Sequence, residues 1–589
     1  MKPPRDNPLI RLAGLGRAHG LALLCEGLLL AFLLAFLIVP IAIAVATGFV
    51  SQGHVSLYWL GRTLGDHVVV KQLLNGLVMA CCTTLLSLLI SLPPAILRAR
   101  CRFAGQGVLG ILMLVPMILP PFVGALSMRH LLSQFGTINL LLDRAGILDF
   151  SRSLPPDWLG GGFAGVVILQ SLHLFPILYL NASAALANVD PAYSQAARNL
   201  GAGPVRTFFS ITLPLIRPGL FAGGTIVFIW AFTDIGTPLV LGYDQLAPVT
   251  IFKQLAKSDT SPTVFSLVFV LLSGSVTLYI LGKFLFGRES IAATAKSAGA
   301  AEQRPLGALG TAGAYALFGA IIFLALLPHV GVILTALSSR WVNTILPESY
   351  TLAHLKFVLV RGETLTSIKN SLEYAGISTG IDLVLGCVAA WLIVRTRVLG
   401  KTILDGLVML PLAVPGMIVA AGYIAITARD VTFLGWTLHL KSIGPTGDWV
   451  IVIIVIAYSV RRLPFAVRGV SAGLQQVPPS LEEAARNLGA SPAGAATRIT
   501  LPLIAANMIA AAVLTFAFAM LEVSDSLILA QKPSAFPITK EIYTQAVSGN
   551  MDAANIASAL GVYGMVLLGG TMAVASALMG KRLGAIFRA

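Results

Sequence analysis

The stretch Ala196-Ala197-Arg198-Asn199-Leu200-Gly201-Ala202 occurs a second time, letter for letter, at positions 484–490. The two copies are 484 − 196 = 288 positions apart in a chain of 589 residues. The match extends beyond them, because Leu213-Pro214 recurs as Leu501-Pro502 at the same offset. A polar segment that is repeated at half the chain length indicates that the sequence consists of two equivalent halves.

Composition places these halves in a membrane. Hydrophobic residues make up 56% of the sequence and charged residues only 11%, whereas soluble domains contain about 25% charged residues. A soluble core cannot bury that much apolar surface, so we expect a polytopic protein in contact with the lipid bilayer. The net charge of +15 comes from short basic clusters between apolar segments, which argues against a nucleic-acid partner. The five cysteines show no metal-binding spacing, so we expect no metal site.

Apolar stretches long enough to span a membrane, about 20 residues each, predict an all-α protein with about 12 transmembrane helices. They lie near 28–50, 69–96, 106–128, 162–183, 219–241, 262–285, 313–337, 370–394, 403–426, 449–469, 506–530 and 558–580. We expect two parallel six-helix repeats. The first repeat is 1–286, a cytoplasmic linker rich in Ala, Gly and charged residues follows at 287–312, and the second repeat is 313–589.

The basic residues predict the orientation of these spans. They are Lys2, Arg5, Arg11, Arg17, Arg98, Arg100, Arg102, Arg395, Arg397, Lys401, Lys581, Arg582 and Arg588. All of them fall on one side when the twelve spans are drawn, and the positive-inside rule makes that side cytoplasmic. Both chain termini and both copies of the repeated segment are therefore expected in the cytoplasm.

Each copy of the repeated segment is predicted to form a short helix with a defined start and end. In the first copy, Asp190 is expected to cap the helix and Pro191 to occupy its first position. In the second copy, Ser480 and Glu483 have the spacing of a capping box. A glycine then follows each helix, Gly201 or Gly489, where a left-handed residue would end it. Such a stiff segment is suited to transmitting force.

The second copy resembles the EAA loop of ABC-type importer permeases. It reads Glu483-Ala484-Ala485, three residues, Gly489, nine residues, Ile499, one residue, and Leu501-Pro502. The first copy is similar, except that Gln195 stands where that family usually has Glu. The resemblance implies the transmembrane fold of type I ABC importers, with a coupling helix in each half. The implied coupling residues are Gln195, Ala196, Ala197, Gly201, Glu483, Ala484, Ala485 and Gly489.

This resemblance also implies a role and partners. The chain would be the permease subunit of an ATP-driven, binding-protein-dependent importer in the bacterial inner membrane, and not an enzyme. Two copies of a separate ABC ATPase would bind ATP and Mg, and a periplasmic or surface solute-binding protein would deliver cargo. The chain itself would hold no cofactor. Its Gly400-Lys401-Thr402 looks like the end of a phosphate-binding loop, but Arg395 occupies the position of the leading glycine.

Ionisable residues inside the predicted spans are candidates for the translocation pathway, because burying them in a membrane is costly. Arg461 and Arg462 lie in the tenth span and Glu522 in the eleventh. The offset of 288 places His173 opposite Arg461 and Asp234 opposite Glu522. Two interpretations remain open. The cations contact an anionic cargo, or an anion that travels with a metal; alternatively they form ion pairs between the two spans without touching cargo.

The sequence also suggests a cargo and two alternative classes of protein. The fused architecture, with segments 119–125 and 461–468, is most similar to ferric-iron permeases, while 2-aminoethylphosphonate, thiamine and polyamine permeases share the same loops. A secondary transporter with twelve helices in parallel halves is the alternative class, and the duplicated loop argues against it. A membrane-embedded enzyme would need a paired acid and base or a metal-binding motif, and the sequence contains neither.

Overall fold

Long apolar helices carry most of the chain in the computed structural model. The structure describes residues 8–286 and 303–579, except for 52, 152, 258–260, 397, 434–435, 549 and 551. The predicted linker between 287 and 302 lies outside the described residues, as do Lys2, Arg5, Arg397, Lys581, Arg582 and Arg588.

The helices follow the order of the predicted spans. In the first half they are α1 (Pro8–Leu33), α2 (Val39–Gly48), α3 (Tyr58–Gly65), α4 (His67–Arg100), α5 (Gln106–Leu112), α6 (Pro121–Leu132), α7 (Thr137–Arg144), α8 (Phe163–Ala187), α9 (Pro191–Asn199), α10 (Pro204–Thr207), α11 (Leu213–Thr233), α12 (Gly236–Leu241), α13 (Ala247–Leu255) and α14 (Pro262–Phe286). In the second half they are α15 (Ala308–Leu337), α16 (Ala353–Val360), α17 (Gly362–Arg395), α18 (Lys401–Ala413), α19 (Gly416–Thr427), α20 (Val450–Gln476), α21 (Pro479–Asn487), α22 (Pro492–Ala495), α23 (Leu501–Met520), α24 (Ser524–Leu529), α25 (Ile538–Val547) and α26 (Ala553–Met579).

Short irregular helices and strands connect these elements. Wide π-turns occupy Leu34–Ile38, Phe208–Thr212 and Ala496–Thr500, and 3-10 turns occupy Val115–Ile118, Gly160–Gly162, Leu440–Ile443 and Pro533–Ala535. The strands are β1 (Val50–Ser51), β2 (His54–Val55), β3 (Cys101–Arg102), β4 (Arg304–Pro305), β5 (Ser338–Arg340), β6 (Ser349–Tyr350), β7 (Val431–Phe433) and β8 (Trp436–Leu438). They pair only as two-stranded ribbons, which are antiparallel except for the parallel pair β3–β4.

The helices confirm the predicted all-α polytopic fold. Within the described residues, nine helices are long and apolar enough to cross a membrane, or eleven when each of two bent pairs counts as one span. The remaining predicted span, 262–285, corresponds to α14, whose apolar described part is shorter. Two predicted spans, 219–241 and 506–530, run past helix ends at Thr233 and Met520. The hydrophobic pattern extends both predicted spans beyond these helix ends because the sequence stays apolar across each break.

Two predicted spans are sharply bent where the hydrophobic pattern shows a continuous stretch. The span at 106–128 turns by 92° between its two helical parts, and the span at 403–426 turns by 101°. Pro120 and Pro415 immediately precede the second part in each case. Proline removes a backbone donor and disfavours helical geometry in the residue before it, so both helices end there.

One compact unit comprises the described residues within 1–46, 371–525 and 570–589. Its apolar core joins Leu29 and Leu33 of α1 to Ala390 of α17, Val408 of α18 and Val467 of α20. The first helix of the chain therefore packs against helices of the second predicted repeat.

The other compact unit comprises the described residues within 47–370 and 526–569. Its core joins Phe318 of α15 to Phe175 and Tyr179 of α8. The Ser127 hydroxyl of α6 donates to the carbonyl oxygen of Pro328 on α15 at 3.0 Å. The first helix of the second repeat therefore packs against the first repeat. Thus α1 belongs to the compact unit that contains most of the second predicted repeat, and α15 belongs to the unit that contains most of the first. The repeat boundaries themselves remain a prediction from the sequence.

The C-terminal end of the predicted linker contacts the first repeat. Residues 304–305 form β4 beside β3, and the Leu306 amide donates to the carbonyl oxygen of Arg102 at 3.1 Å. The Gln303 side chain donates to the carbonyl oxygen of Arg98 at 3.0 Å. These backbone partners fix residues 303–307, and α15 begins at Ala308 rather than at 313.

Candidate coupling and translocation site

The two copies of the repeated segment form helices of equal length, α9 and α21, called here the loop helices. The Asp190 carboxylate accepts a hydrogen bond from the Ala192 amide at 2.8 Å, which confirms the predicted cap of α9. The predicted capping box of α21 is wrong: Pro478 is its N-cap, and Ser480 already lies inside the helix because Pro479 takes the first position. Gly201 and Gly489 have φ angles of +81° and +92°, which confirms the left-handed ends.

The predicted coupling residues differ in exposure along each loop helix. Those exposed to solvent are Gln195, Ala196, Gly201, Glu483, Ala484 and Gly489. Ala197, in contrast, is buried, and its equivalent Ala485 is half-buried. These two alanines therefore face their own domain, where a small side chain lets the loop helix pack closely. A bulky substitution there would displace the helix without touching its outer face.

Large apolar side chains on the outer face of each loop helix were not identified from the sequence. Leu200 and Leu488 are 89% and 90% exposed, and Tyr193 and Leu481 are 46% and 44% exposed. Each pair is related by the same offset of 288. Paired apolar groups at equivalent exposed positions are typical of a surface that binds another protein. Leu200 and Leu488 lie inside the repeated segment, and this repetition was the only feature of the sequence that could have identified them.

An ion pair connects the second loop helix to its domain. Arg395 Nε, at the end of α17, lies 3.5 Å from Glu482 Oε1 on α21. The Thr500 hydroxyl donates to the same carboxylate oxygen at 2.7 Å. Arg395 also donates to the carbonyl oxygens of Leu474 and Val477, at 2.9 and 2.6 Å, where α20 ends. The second loop helix is thereby connected to three spans.

The first loop helix lacks this connection. Arg100, at the end of α4, hydrogen bonds directly to Thr212, whereas the equivalent Arg395 and Thr500 both contact the Glu482 carboxylate. The residue equivalent to Glu482 is Ser194, since 482 − 288 = 194, and a serine supplies no charge for the arginine. The sequence comparison identified Gln195 against Glu483 as the difference between the loops. The structure adds a second difference one residue earlier, which changes an internal contact.

Charged side chains of the second repeat converge inside the membrane-spanning region. Arg461 Nη1 on α20 lies 2.7 Å from Glu522 Oε1 and 3.3 Å from Asp525 Oδ2. Arg462 pairs with the other oxygen of Glu522. These four residues, called here the arginine cluster, have the contacts that the ion-pair interpretation requires.

The equivalent residues of the first repeat do not form such a cluster. His173 Nδ1 lies 3.1 Å from the carbonyl oxygen of Pro116, at the bend of the third span. Asp234 accepts hydrogen bonds from the Gln170 side chain at 3.0 Å and from the Gly236 amide at 3.1 Å. Each therefore has a partner other than its counterpart. His173 is therefore a partner for a carbonyl group at the bend, and Asp234 is a partner for an amide group at the start of α12.

Arg461 and His173 share a position relative to the bent spans. The Arg461 guanidinium packs so closely on Gly416, the first residue of α19, that a Cβ atom there would overlap it. His173 likewise lies against the break that precedes α6. Both residues therefore contact the point at which a predicted span breaks.

Asp382 on α17 is a further acidic residue beside the arginine cluster, and the sequence analysis assigned it no role. It is fully buried near Arg462, and neither of its carboxylate oxygens has a hydrogen-bond partner among the described residues. The cluster and Asp382 together contain three acids and two arginines. The sequence around Asp382 gave no signal that it lies near the cluster.

Similar proteins come from several transport systems. A putative ferric transport system permease of Haemophilus influenzae is 28% identical over 530 residues, covering 86% of this chain and 77% of that protein. A ferric transport system permease of Actinobacillus pleuropneumoniae is 28% identical over 482 residues, 79% of this chain, which spans 65% of that protein's length. A molybdate/tungstate transport system permease of Pyrococcus abyssi is 27% identical over 265 residues, 44% of this chain and 95% of that protein.

A family profile matches both halves of the chain. It describes the inner membrane component of binding-protein-dependent transport systems and matches residues 60–261 and 382–587. Each matched segment contains one loop helix, so the match agrees with the resemblance of the repeated loops and rules out the secondary-transporter alternative. The chain therefore belongs to the family of binding-protein-dependent transport system inner membrane components: it is a fused, multi-pass inner-membrane permease of an ABC importer and has no catalytic role of its own.

Proposed function

We propose that this permease imports ferric iron. Two copies of an ABC ATPase, which bind ATP and Mg, would dock on the two loop helices, and a periplasmic or surface solute-binding protein would supply the cargo. Both termini and both loop helices would lie in the cytoplasm. The observation that carries the docking proposal is the matched exposure of Leu200 and Leu488 at the ends of two equal helices.

The cargo proposal is supported by similarity rather than by a metal site. The two ferric transport permeases are similar to most of this chain. Within the described residues, no three His, Cys, Asp or Glu side chains converge to hold a metal ion. Selection of iron would therefore rest with the binding protein, and the permease would provide the passage. Permeases for 2-aminoethylphosphonate, thiamine and polyamines remain the alternatives within the class.

The loop helices explain how ATP binding would move the spans. Closure of two ATPase subunits would draw α9 and α21 together, and each helix would pass that displacement to the spans it contacts. ATP and the loaded binding protein would favour one state of the passage, and hydrolysis would restore the other. Transmission of this displacement requires loop helices that do not bend. A proline at the first position and a left-handed glycine after the last turn give each loop helix a defined start and end.

Radiolabelled ferric iron uptake by the complete complex in proteoliposomes tests the proposal. We expect uptake that requires the ATPase subunit, ATP and the iron-loaded binding protein together. Uptake that proceeds equally without nucleotide would disprove the energy source. ATPase activity that responds to a binding protein loaded with another cargo, and not to iron, would disprove the cargo while leaving the importer class intact.

The exposed leucines give a direct test of docking. Leu200→Asp and Leu488→Asp should each weaken binding of the ATPase subunit by about tenfold or more, because a charge replaces an apolar contact in the centre of an interface. The measurement is co-purification and titration of the ATPase subunit on the permease in detergent.

Leu399→Asp is the matched control for these variants. Leu399 is 94% exposed in the turn between α17 and α18, outside both loop helices. It should bind the ATPase subunit as well as the unsubstituted protein does. If all three variants behave alike, or if the loop-helix variants bind normally, the docking surface is elsewhere.

A further inference from the structure

Lys540 is a cation in an aromatic environment. It lies in the first turn of α25, and its ammonium donates to the carbonyl oxygen of Leu527 at 3.0 Å. The rings of Phe252, Phe536 and Tyr543 have centroids 6.0, 5.5 and 5.9 Å from Nζ. No carboxylate of the described residues lies within 4.0 Å of it. The ammonium is therefore held by ring faces and one carbonyl, without a counterion.

Lys540 lies where two equivalent helices meet. The start of α25 is related to the start of α13 by an offset of 289 rather than 288, because Pro248-Val249-Thr250 is matched by Pro537-Ile538-Thr539. Lys540 on α25 contacts the ring of Phe252 on α13, and Phe252 contacts Tyr543 of α25 edge to face at 5.7 Å. In a twofold arrangement, a helix meets its own equivalent only beside the axis. Lys540 therefore lies next to the pseudo-twofold axis of the repeats.

Two physical costs attend this position. A half-buried ammonium without a carboxylate loses hydration that no opposite charge restores. The first turn of a helix also disfavours a cation, because the helix dipole is positive at that end. Ile251, which the offset of 289 places at the equivalent position of α13, avoids both costs. A charged side chain beside the axis therefore needs a compensating benefit that an apolar side chain does not supply.

A transporter built from two repeats binds and passes its cargo at the interface between them. We propose that Lys540 is an anion-binding group on the translocation axis, and that the cargo passes it with a negatively charged oxygen ligand or substituent. The proposal rests on the importer function proposed above. A ferric ion that carries such a ligand and a free oxyanion present the same chemistry to an ammonium. Thiamine and polyamines are cations, and Lys540 repels them.

The test compares Lys540→Met, which removes the charge and keeps the length, with Lys540→Arg, which keeps the charge. The control is Lys253→Met on the equivalent helix α13, where Lys253 is exposed and pairs with Asp244 at 2.5 Å. The complete complex in proteoliposomes is supplied with radiolabelled ferric iron in the presence of inorganic phosphate, and in a second arm with radiolabelled molybdate. ATPase activity stimulated by the loaded binding protein is measured in parallel.

We expect Lys540→Met to lower uptake of the transported probe by about tenfold or more while stimulated ATPase activity persists, because one charge-assisted contact is lost. Lys540→Arg and Lys253→Met should retain most of the uptake. Normal uptake by Lys540→Met would overturn the proposal. So would an equal loss in Lys540→Arg, which would assign the effect to packing, or ATP-independent leakage of Lys540→Met, which would assign it to closure of the passage.

The two arms separate this proposal from the proposed cargo. A complex that imports molybdate and no ferric iron disproves the iron proposal alone. Lys540→Met must then lower molybdate uptake for the anion-binding role to stand. Iron uptake that needs phosphate and depends on Lys540 supports a ferric ion with an anionic ligand. Iron uptake that proceeds equally without any added oxyanion, and is unaffected in Lys540→Met, overturns the anion-binding role.

Discussion

Glu522→Gln should lower the free energy of unfolding more than any other substitution proposed here. Glu522 is the shared partner of Arg461 and Arg462, and all three side chains are at least 86% buried. Removing one member of a buried ion pair costs about 3–5 kcal/mol. In Glu522→Gln, Arg462 loses the carboxylate with which it pairs, and Arg461 keeps only its contact with Asp525. Detergent-induced unfolding of the purified full-length protein, followed by circular dichroism, measures the loss.

Asp234→Asn is the matched control, since Asp234 is the equivalent of Glu522 (522 − 234 = 288). Asp234 pairs with the amide groups of Gln170 and Gly236 rather than with an arginine. Asparagine keeps one acceptor oxygen, so we expect a smaller loss, of about 1 kcal/mol. Equal losses in the two variants would show that the arginine cluster adds nothing beyond ordinary buried hydrogen bonding.

The sequence was sufficient to predict the class of fold, because lipid imposes a strict length and polarity on every span. A stretch of about 20 apolar residues has few alternatives to a spanning helix. The same argument cannot locate a bend. The spans that break before Pro121 and Gly416 are apolar on both sides of the break, so a hydrophobicity pattern shows one continuous segment. The prolines were visible in the sequence, but proline is also tolerated within spanning helices, as Pro176 of α8 shows.

The exchange of leading helices had no local signal. Leu29 and Leu33 of α1 pack in the core of the second repeat, and Phe318 of α15 packs in the core of the first. An apolar helix surface fits many partners of similar shape, so pairing depends on the assembled domain and not on any single residue. Hydrophobic spans predict that helices exist, and their order along the chain does not predict which of them pack together.

The candidate site was predictable where one repeat could be compared with the other. The offset of 288 brought together His173 and Arg461, and the structure places both at helix breaks. The comparison failed for Glu482, because the resemblance directed attention to the motif residue Glu483 beside it. Only the structure shows that Glu483 faces solvent while Glu482 contacts Arg395. Neighbouring residues of a helix point in different directions, so a shift of one position along α21 separates a residue that faces solvent from one that contacts the domain.

Glu482→Ser should uncouple ATP hydrolysis from transport. The substitution gives the second loop helix the residue of the first, and it removes the carboxylate that both Arg395 and Thr500 contact. A hydrogen bond to a charged group in a mostly buried setting is worth about 1.5–3 kcal/mol, so we expect about a tenfold loss of cargo transported per ATP hydrolysed. Uptake and ATPase activity of the same proteoliposomes give this ratio.

Glu483→Gln separates the internal ion pair from a charge that contacts the ATPase. It reproduces the residue found at Gln195, and Glu483 is exposed, so we expect less than about a twofold change, as for other exposed charges. If Glu483→Gln lowers the coupling ratio as much as Glu482→Ser does, the exposed carboxylate acts on the ATPase and the internal ion pair is dispensable.

Ser194→Glu completes the comparison by placing a carboxylate opposite Arg100 in the first repeat. In the presence of Glu482→Ser it creates a mirror image of the natural arrangement, with the first loop helix connected to its domain and the second one released. Because the two loop helices would be moved by the same closing ATPase pair, one connected helix is expected to suffice. The double variant should therefore recover at least about half of the lost coupling, a non-additive effect. A double variant that is no better than Glu482→Ser alone would show that the second repeat, specifically, transmits the motion.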